Sequence, residues 1–246
     1  MANSEGNAPE CAGPRRRLTS GTTVRYVEKR DWFEWHQPLD DPKSPLSRRL
    51  AAVQHHLRVE LDRCPTGPIR VVSICAGQGR DLLSVVADHP RREDVSARLV
   101  ELDPRNVAFA RAYVADQDLD SIEIVEVDAG LTDAYVGAVP AEIVLACGVF
   151  GNITADDISR TVQALPGMCV EGAAVIWTRN RIPPDLTPRI RTWFRQAGFA
   201  EQAFEVPEGT FFGVGVNRLT EEPPAFSPGH RLFTFVGYDH LLGKSQ

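Results

Sequence analysis

The strongest constraint on how this chain can fold is a repeated switch between short apolar runs and segments with helical spacing, sustained from residue 69 to residue 197. Ile69–Cys75 (IRVVSIC), Arg98–Leu102, Ile122–Val127, Ile143–Cys147 and Ala173–Thr178 are short and mostly apolar, with no polar alternation. Strands buried on both faces read this way, whereas a strand with one wet face alternates. Between them lie Asp81–Asp88, the alanine-rich Arg105–Asp116 behind Pro104, a short piece near 132–137, Thr154–Leu165 and Thr187–Ala197, all with helical character. Thr154 and Asp157 have capping-box spacing, Pro188 suits a first turn, and Gly198 suits a helix end. Five strand–helix repeats predict a doubly wound α/β fold. The pattern then breaks. Ala200–Val206 and Phe211–Arg218 are joined only by PEGT, too short for a crossover helix, so they are expected to form an antiparallel hairpin. The expected sheet is therefore seven-stranded and mostly parallel, with an antiparallel C-terminal edge. A further extended piece, Arg231–Val236, follows a proline-rich link.

The sequence ahead of the sheet divides in two. Residues 1–20 are rich in Gly, Pro, Ala, Ser and Arg and read as a disordered tail. Arg15, Arg16 and Arg17 there are either an anion-binding arm or part of a solvated tail. Residues 21–64 read as an N-terminal helical lid segment. In it Tyr26, Trp32, Phe33 and Trp35 crowd into ten residues, and Leu46, Leu50, Val53, Leu57 and Leu61 mark one helical face. Ser44 followed by Pro45 is an N-cap and first-turn pair, so a helix is expected over 45–63. The remainder, 65–246, reads as the α/β domain.

Charge and cysteine usage narrow the partners. With 27 Lys+Arg against 33 Asp+Glu the formal charge is −6, which lacks the basic footprint that nucleic-acid binding needs. No apolar run approaches the roughly 18 residues of a membrane span. The arginines near the start precede no apolar stretch, so no signal peptide is expected and the expected location is cytoplasmic. The five cysteines are widely spaced with no CxxC pair, which fits reduced, structural thiols and no zinc cluster.

In an open α/β sheet the ligand sits beyond the carboxyl ends of the strands, near the first. The first turn is Cys75-Ala76-Gly77-Gln78-Gly79-Arg80-Asp81. Its glycines allow a ligand to approach the backbone, and a helix starting at Asp81 would turn free N–H groups to the same spot. A dinucleotide fingerprint would have a third glycine where Leu82 stands, and Asp81 puts negative charge where a pyrophosphate would lie. A zwitterionic amino-acid tail suits the Arg80/Asp81 pair better. The second strand ends Glu101-Leu102-Asp103-Pro104, where an acid can grip both ribose hydroxyls. Glu101 and Asp103 fall on the same side of an extended strand, and Asp103, at the very tip, is preferred, though it also suits capping the following helix. Asp128 with Ala129 closes the third strand, an acid for an exocyclic amine beside room for a ring. Cys147 and Gly148 close the fourth, small residues that leave a gap.

This arrangement resembles the class I S-adenosylmethionine-dependent methyltransferases. CAGQGRD falls on their glycine-rich first motif, ELDP on the acid of the second strand, VDAG on the adenine motif, and LACGVFGN on the strand facing the substrate. The resemblance covers about 65–220, and departs from the family where Cys75 replaces its usual acid and Asp81 its frequent third glycine. It implies S-adenosyl-L-methionine as cofactor, with Ala76, Gly77, Gln78 and Gly79 near the methionine portion, Asp103 on the ribose, Asp128 and Ala129 on the adenine, and Cys147 and Gly148 beside them. The Asn/Asp-Pro-Pro-aromatic motif of base-methylating enzymes is absent, so a small-molecule methyl acceptor is expected.

Methyl transfer from a sulfonium is an in-line displacement that depends mainly on positioning. A general base is needed only for a nucleophile that holds its proton tightly. Tyr26 and Trp35 are candidates to close over the sulfonium or stack on substrate; equally, Trp32 and Trp35 at i and i+3 would anchor a short helix to the body. His36 is the lid residue suited to proton removal. Asn152 and Arg179 are candidates for substrate contact, and Arg179 would otherwise pair with an acid. Two other readings remain: a catalytically silent Rossmann-like protein that binds a nucleoside, and a nicotinamide-dependent oxidoreductase.

Overall fold

The computed structural model describes residues 31–237 and Leu241. Tyr26, Cys11, the three consecutive arginines and the whole of the 1–20 tail lie outside them.

Seven strands form one sheet: β1 (Ile69–Ile74), β2 (Val95–Glu101), β3 (Ile122–Glu126), β4 (Ala141–Ala146), β5 (Cys169–Asn180), β6 (Phe199–Glu205) and β7 (Phe212–Leu219). Their order is β3-β2-β1-β4-β5-β7-β6. The first five are parallel to one another, and β7 inserts antiparallel between β5 and β6. The expected hairpin is therefore present at the edge. β1 and β4 are apolar and buried on both faces because separate side-chain clusters cover the two sides of the sheet. Strand order reverses between β1 and β4, and this opens a crevice at their carboxyl ends.

The helices are α1 (Pro45–Arg63), α2 (Leu83–Asp88), α3 (Pro104–Asp116), α4 (Ala155–Ala164) and α5 (Thr187–Gln196). Ser44 accepts the Ser47 N–H and Thr154 the Asp157 N–H, so both expected caps form. The helix expected from Asp81 starts at Leu83 and has six residues, entered through a turn in which the Leu82 and Leu83 N–H groups both donate to the Gly79 carbonyl. The helical piece near 132–137 is a 3-10 turn, Thr132–Tyr135.

Two segments outside the repeats shape the crevice. Val53, Leu57 and Leu61 of α1 share a core with β1, β4 and β7 side chains, so this helix belongs to the body of the domain. The preceding 3-10 helix, Glu34–Asp40, forms a roof. The Arg231–Val236 piece is a strap rather than a strand. It makes one antiparallel bridge, Leu131 with Arg231, and then crosses the strand ends, where the Val236 and Gly237 N–H groups donate to the Asn152 carbonyl at 2.9 and 3.0 Å. Gly130 accommodates it: a side chain at that position would collide with the Phe233 carbonyl.

Candidate active site

The crevice holds a cavity of about 610 Å³, bounded by the β1–β4 tips below, the roof above and the strap at one side. A space of this size suits a ligand of cofactor dimensions.

Its floor is the turn after β1. Cys75 and Gly77 both have positive φ, 51° and 57°, and a side chain at 77 would run into the His36 imidazole. The loop can therefore pass directly beneath the roof only because residue 77 is glycine. Gly77 donates its N–H to Glu101 Oε2 at 2.8 Å, and the Asp103 N–H reaches Glu101 Oε1 at 2.9 Å. Glu101, the last residue of β2, is thus a buried carboxylate held rigidly at the cavity wall.

Asp103 has different work. Pro104 opens α3, which makes Asp103 its N-cap: its carboxylate accepts the Arg105 N–H at 2.9 Å and pairs with that residue's guanidinium at 2.8 Å. This pairing holds its carboxyl below the usual range. Asp103 and Glu101 both line the cavity; the Asp103 carboxylate is paired with Arg105, whereas Glu101 makes no ion pair among the described residues. Leu102 between them is an apolar side chain left 60% exposed at the cavity lip.

Asp81 lies half-buried in the wall, and its Oδ1 has no hydrogen-bond partner among the described residues. Burial pushes its carboxyl up to about 6, against the opposing pull of Arg49. Asn106, on the first turn of α3, is buried with neither amide atom hydrogen-bonded among the described residues. Sequence reading passed over both Asn106 and Arg49. The signal for Arg49 is a cation on the Leu46–Val53 face of α1, where it is 8% exposed.

Of the other expected site residues, Ala76, Asp128, Ala129, Cys147, Gly148, Asn152, Trp35 and His36 also line the cavity. Gln78 and Gly79 do not: Gln78 Oε1 takes the Arg80 Nε–H at 2.7 Å, and Gly79 faces Leu83 and Leu99. Asp128 is engaged by the Gly130 N–H at 2.8 Å and by Arg231 at 3.1 Å. Arg179 lines a neighbouring chamber instead. Burial pushes the Cys75 and Cys147 thiols well above their ordinary value, so both are un-ionised wall residues. Cys64, Cys75, Cys147 and Cys169 are free, and no metal-holding cluster occurs among the described residues.

His36 is neutral at ordinary pH. Burial brings its pKa down to about 4, and Arg49 and Arg80 press the same way against its bond to Trp32. With Nδ1 placed 2.7 Å from the Trp32 carbonyl, the proton belongs on Nδ1, and Nε2 presents a lone pair towards Gly77. The roof is tied down by Arg105 to Asp31 at 2.8 Å, Arg80 to Asp40 at 2.5 Å, and an edge-on contact of Trp32 with Phe235 at 5.1 Å.

This crevice, built on a 3-2-1-4-5-7-6 sheet, is that of a methyltransferase fold. Residues 47–201 match the family described as "Putative methyltransferase", and the chain belongs to that family. Among solved structures it is similar to magnesium protoporphyrin IX methyltransferase from Synechocystis with bound SAM, at 11% identity and TM-score 0.60, over 76% of this chain and 89% of that one. It is also similar to an O-methyltransferase family protein from Burkholderia thailandensis, at 18% identity and TM-score 0.56, over 77% of this chain and 57% of the other. A third similar structure is the CurJ carbon methyltransferase, at 13% identity and TM-score 0.52, over 65% and 51%. The chain thus spans little more than half of the last two, and at these identities the likeness is one of fold. No curated protein matches the chain in sequence. No helix among the described residues is long and apolar enough to cross a membrane.

Proposed function

We propose that the chain transfers a methyl group from S-adenosyl-L-methionine to a small molecule. The observation that carries this reading is the buried Glu101 carboxylate, fixed by two backbone N–H groups at the tip of β2 and facing the cavity beside Gly77. A rigid, dry carboxylate at that tip is suited to a ribose diol. Leu102 offers an apolar surface to a purine, and Asp128 with Ala129 borders the same end. Asp81, with an unpartnered oxygen, suits the ammonium of the amino-acid tail. Glu101, Asp128 and Asp81 would each meet a polar feature of that one ligand, and a cavity of about 610 Å³ has room for it.

When bound, the cofactor supplies an electrophilic methyl carbon on a cationic sulfur. The chain's own residues orient and exclude water: Trp32 and Trp35 roof the cavity, and Phe233 and Phe235 of the strap close its side. His36 forms wall rather than base. A group with pKa near 4 is poorly matched to removing a tightly held proton at neutral pH. Any proton on the acceptor atom is released to solvent once methylation has made it acidic. The fold neighbours named as O- and carbon methyltransferases show that this sheet does not dictate the acceptor atom.

Calorimetry tests the reading. S-adenosylhomocysteine is expected to bind with micromolar affinity while NADH gives no heat. Binding of NADH alone would overturn the proposal, as would a failure of both to bind.

A further inference from the structure

Asn106 lines the main cavity from the first turn of α3 and is only 1% exposed. Neither atom of its carboxamide has a hydrogen-bond partner among the described residues. A buried amide left unpaired carries the full cost of leaving water. Helix α3 draws no support from it. Asp103 caps the helix by accepting the Arg105 N–H, and Val107 and Ala110 supply the apolar inward contact. Neither role calls for an amide, so this one points to a ligand rather than to the fold.

Its surroundings say which part of a ligand. Val107 and Ala110 share one apolar cluster with Val95, Ala97 and Leu99 of β2. Glu101 lies two residues beyond Leu99 on that strand, so its side chain leaves the sheet on the same side. Helical side chains lean towards the helix N-terminus, which turns Asn106 towards the β2 tip. The carboxamide and the Glu101 carboxylate therefore border the same end of the cavity. Glu101 already accepts the Gly77 and Asp103 N–H groups, and an ionised carboxylate has no hydrogen to donate. A carboxamide offers a donor and an acceptor together.

We propose that Asn106 is a second ligand of the cofactor's ribose and makes the site selective for an intact vicinal diol. Its Nδ2–H donates to one hydroxyl oxygen, and its Oδ1 shares the proton of the other hydroxyl with Glu101. This rests on reading the main cavity as the S-adenosylmethionine site. The two amide atoms find partners only when the ribose arrives, so a sugar lacking a hydroxyl leaves the amide short of one.

The test is competition calorimetry on the full chain with S-adenosylhomocysteine and its 2′-deoxy and 3′-deoxy analogues, repeated on Asn106→Leu. The substitution should weaken S-adenosylhomocysteine about tenfold. It should weaken by less than about threefold the deoxy analogue that lacks the hydroxyl receiving Nδ2–H. A merely structural role would weaken all three ligands alike. Equal weakening of all three, or of none, overturns the proposal. If the effect of the substitution vanishes for S-inosylhomocysteine instead, the amide reads the base and the proposal is likewise overturned. In each of these cases S-adenosylhomocysteine still binds the unaltered chain, and the main-cavity reading stands. If it fails to bind the unaltered chain, both fall. Asn106→Ala runs the same comparison should Asn106→Leu fail to fold.

Discussion

The two ends of the crevice are built differently. At the β1–β3 end the wall carries four carboxylates, Asp81, Glu101, Asp103 and Asp128, each at the end of a strand or in the loop that follows it. At the β4–β5 end the wall is cationic and aromatic, and it is assembled from distant pieces: Arg49 from α1, Trp35 from the roof, Arg179 from β5 and Phe212 from β7. One end follows from the fold's own repeat. The other depends on how remote segments pack over that repeat.

The sharpest way to break this division is at the β2 tip. Glu101→Gln removes a buried charge expected to grip two hydroxyls, and should weaken S-adenosylhomocysteine about a hundredfold by calorimetry. Asp103→Asn, which alters a capping residue already paired with Arg105, should change affinity by less than about threefold. The reverse order would return the ligand acid to Asp103 and undo the account of the acidic end.

A smaller effect separates the two ends by pH. Asp81, with its carboxyl raised to about 6, loses its charge just below neutrality. S-adenosylhomocysteine affinity should therefore hold steady above pH 7 and fall through pH 6, by up to about tenfold per unit. Asp81→Asn should bind more weakly and lose the dependence. Stability gives a second readout. A carboxyl raised from 3.8 to about 6 contributes stability at low pH that is lost as pH rises through that window. A histidine lowered from 6.5 to about 4 does the opposite, because the unfolded chain takes up the proton first and stability falls as pH drops below 6.5. The two slopes oppose each other between pH 4 and 6 in the unliganded protein. Asp81→Asn should expose the His36 slope alone, with stability rising with pH by up to about 1.4 kcal/mol per unit in chemical denaturation.

The same division explains what was legible in the sequence. The sheet, its hairpin, α1 and the CAGQGRD turn were readable because each is a local pattern: apolar runs, caps, and glycines after a strand. The capping role of Asp103 was legible in the same way. An acid before proline is an N-cap, as Ser44 before Pro45 is a cap, and a capping carboxylate turns to its own backbone rather than to a ligand. Arg49 could have been noticed as a charge on an apolar helix face. The extended Arg231–Val236 was legible but its path across the strand ends was not, because only the packing of Phe233 over Gly130 brings residue 231 beside residue 131.

The smallest expected effect concerns the roof, which either opens as a lid or serves as a fixed anchor. Asp31 accepts the Phe33 and Glu34 N–H groups at 2.9 and 3.0 Å and pairs with Arg105, which holds its carboxyl down to about 2. It is therefore charged throughout the working range. Asp31→Asn keeps an oxygen for the capping bonds and removes the charge together with the acceptor for Arg105, while Arg105 retains Asp103. Exposed pairs of this kind contribute little, so the melting temperature should move by less than about 2 °C. If the roof is a lid, that slack appears in kinetics: S-adenosylhomocysteine should dissociate about twofold faster in stopped-flow, and high salt should erase the difference by screening the pair in the unaltered chain. An unchanged dissociation rate would make the roof an anchor. The crevice would then admit ligand from the β5 side, where Phe211 and Ile182 stand 45% and 37% exposed.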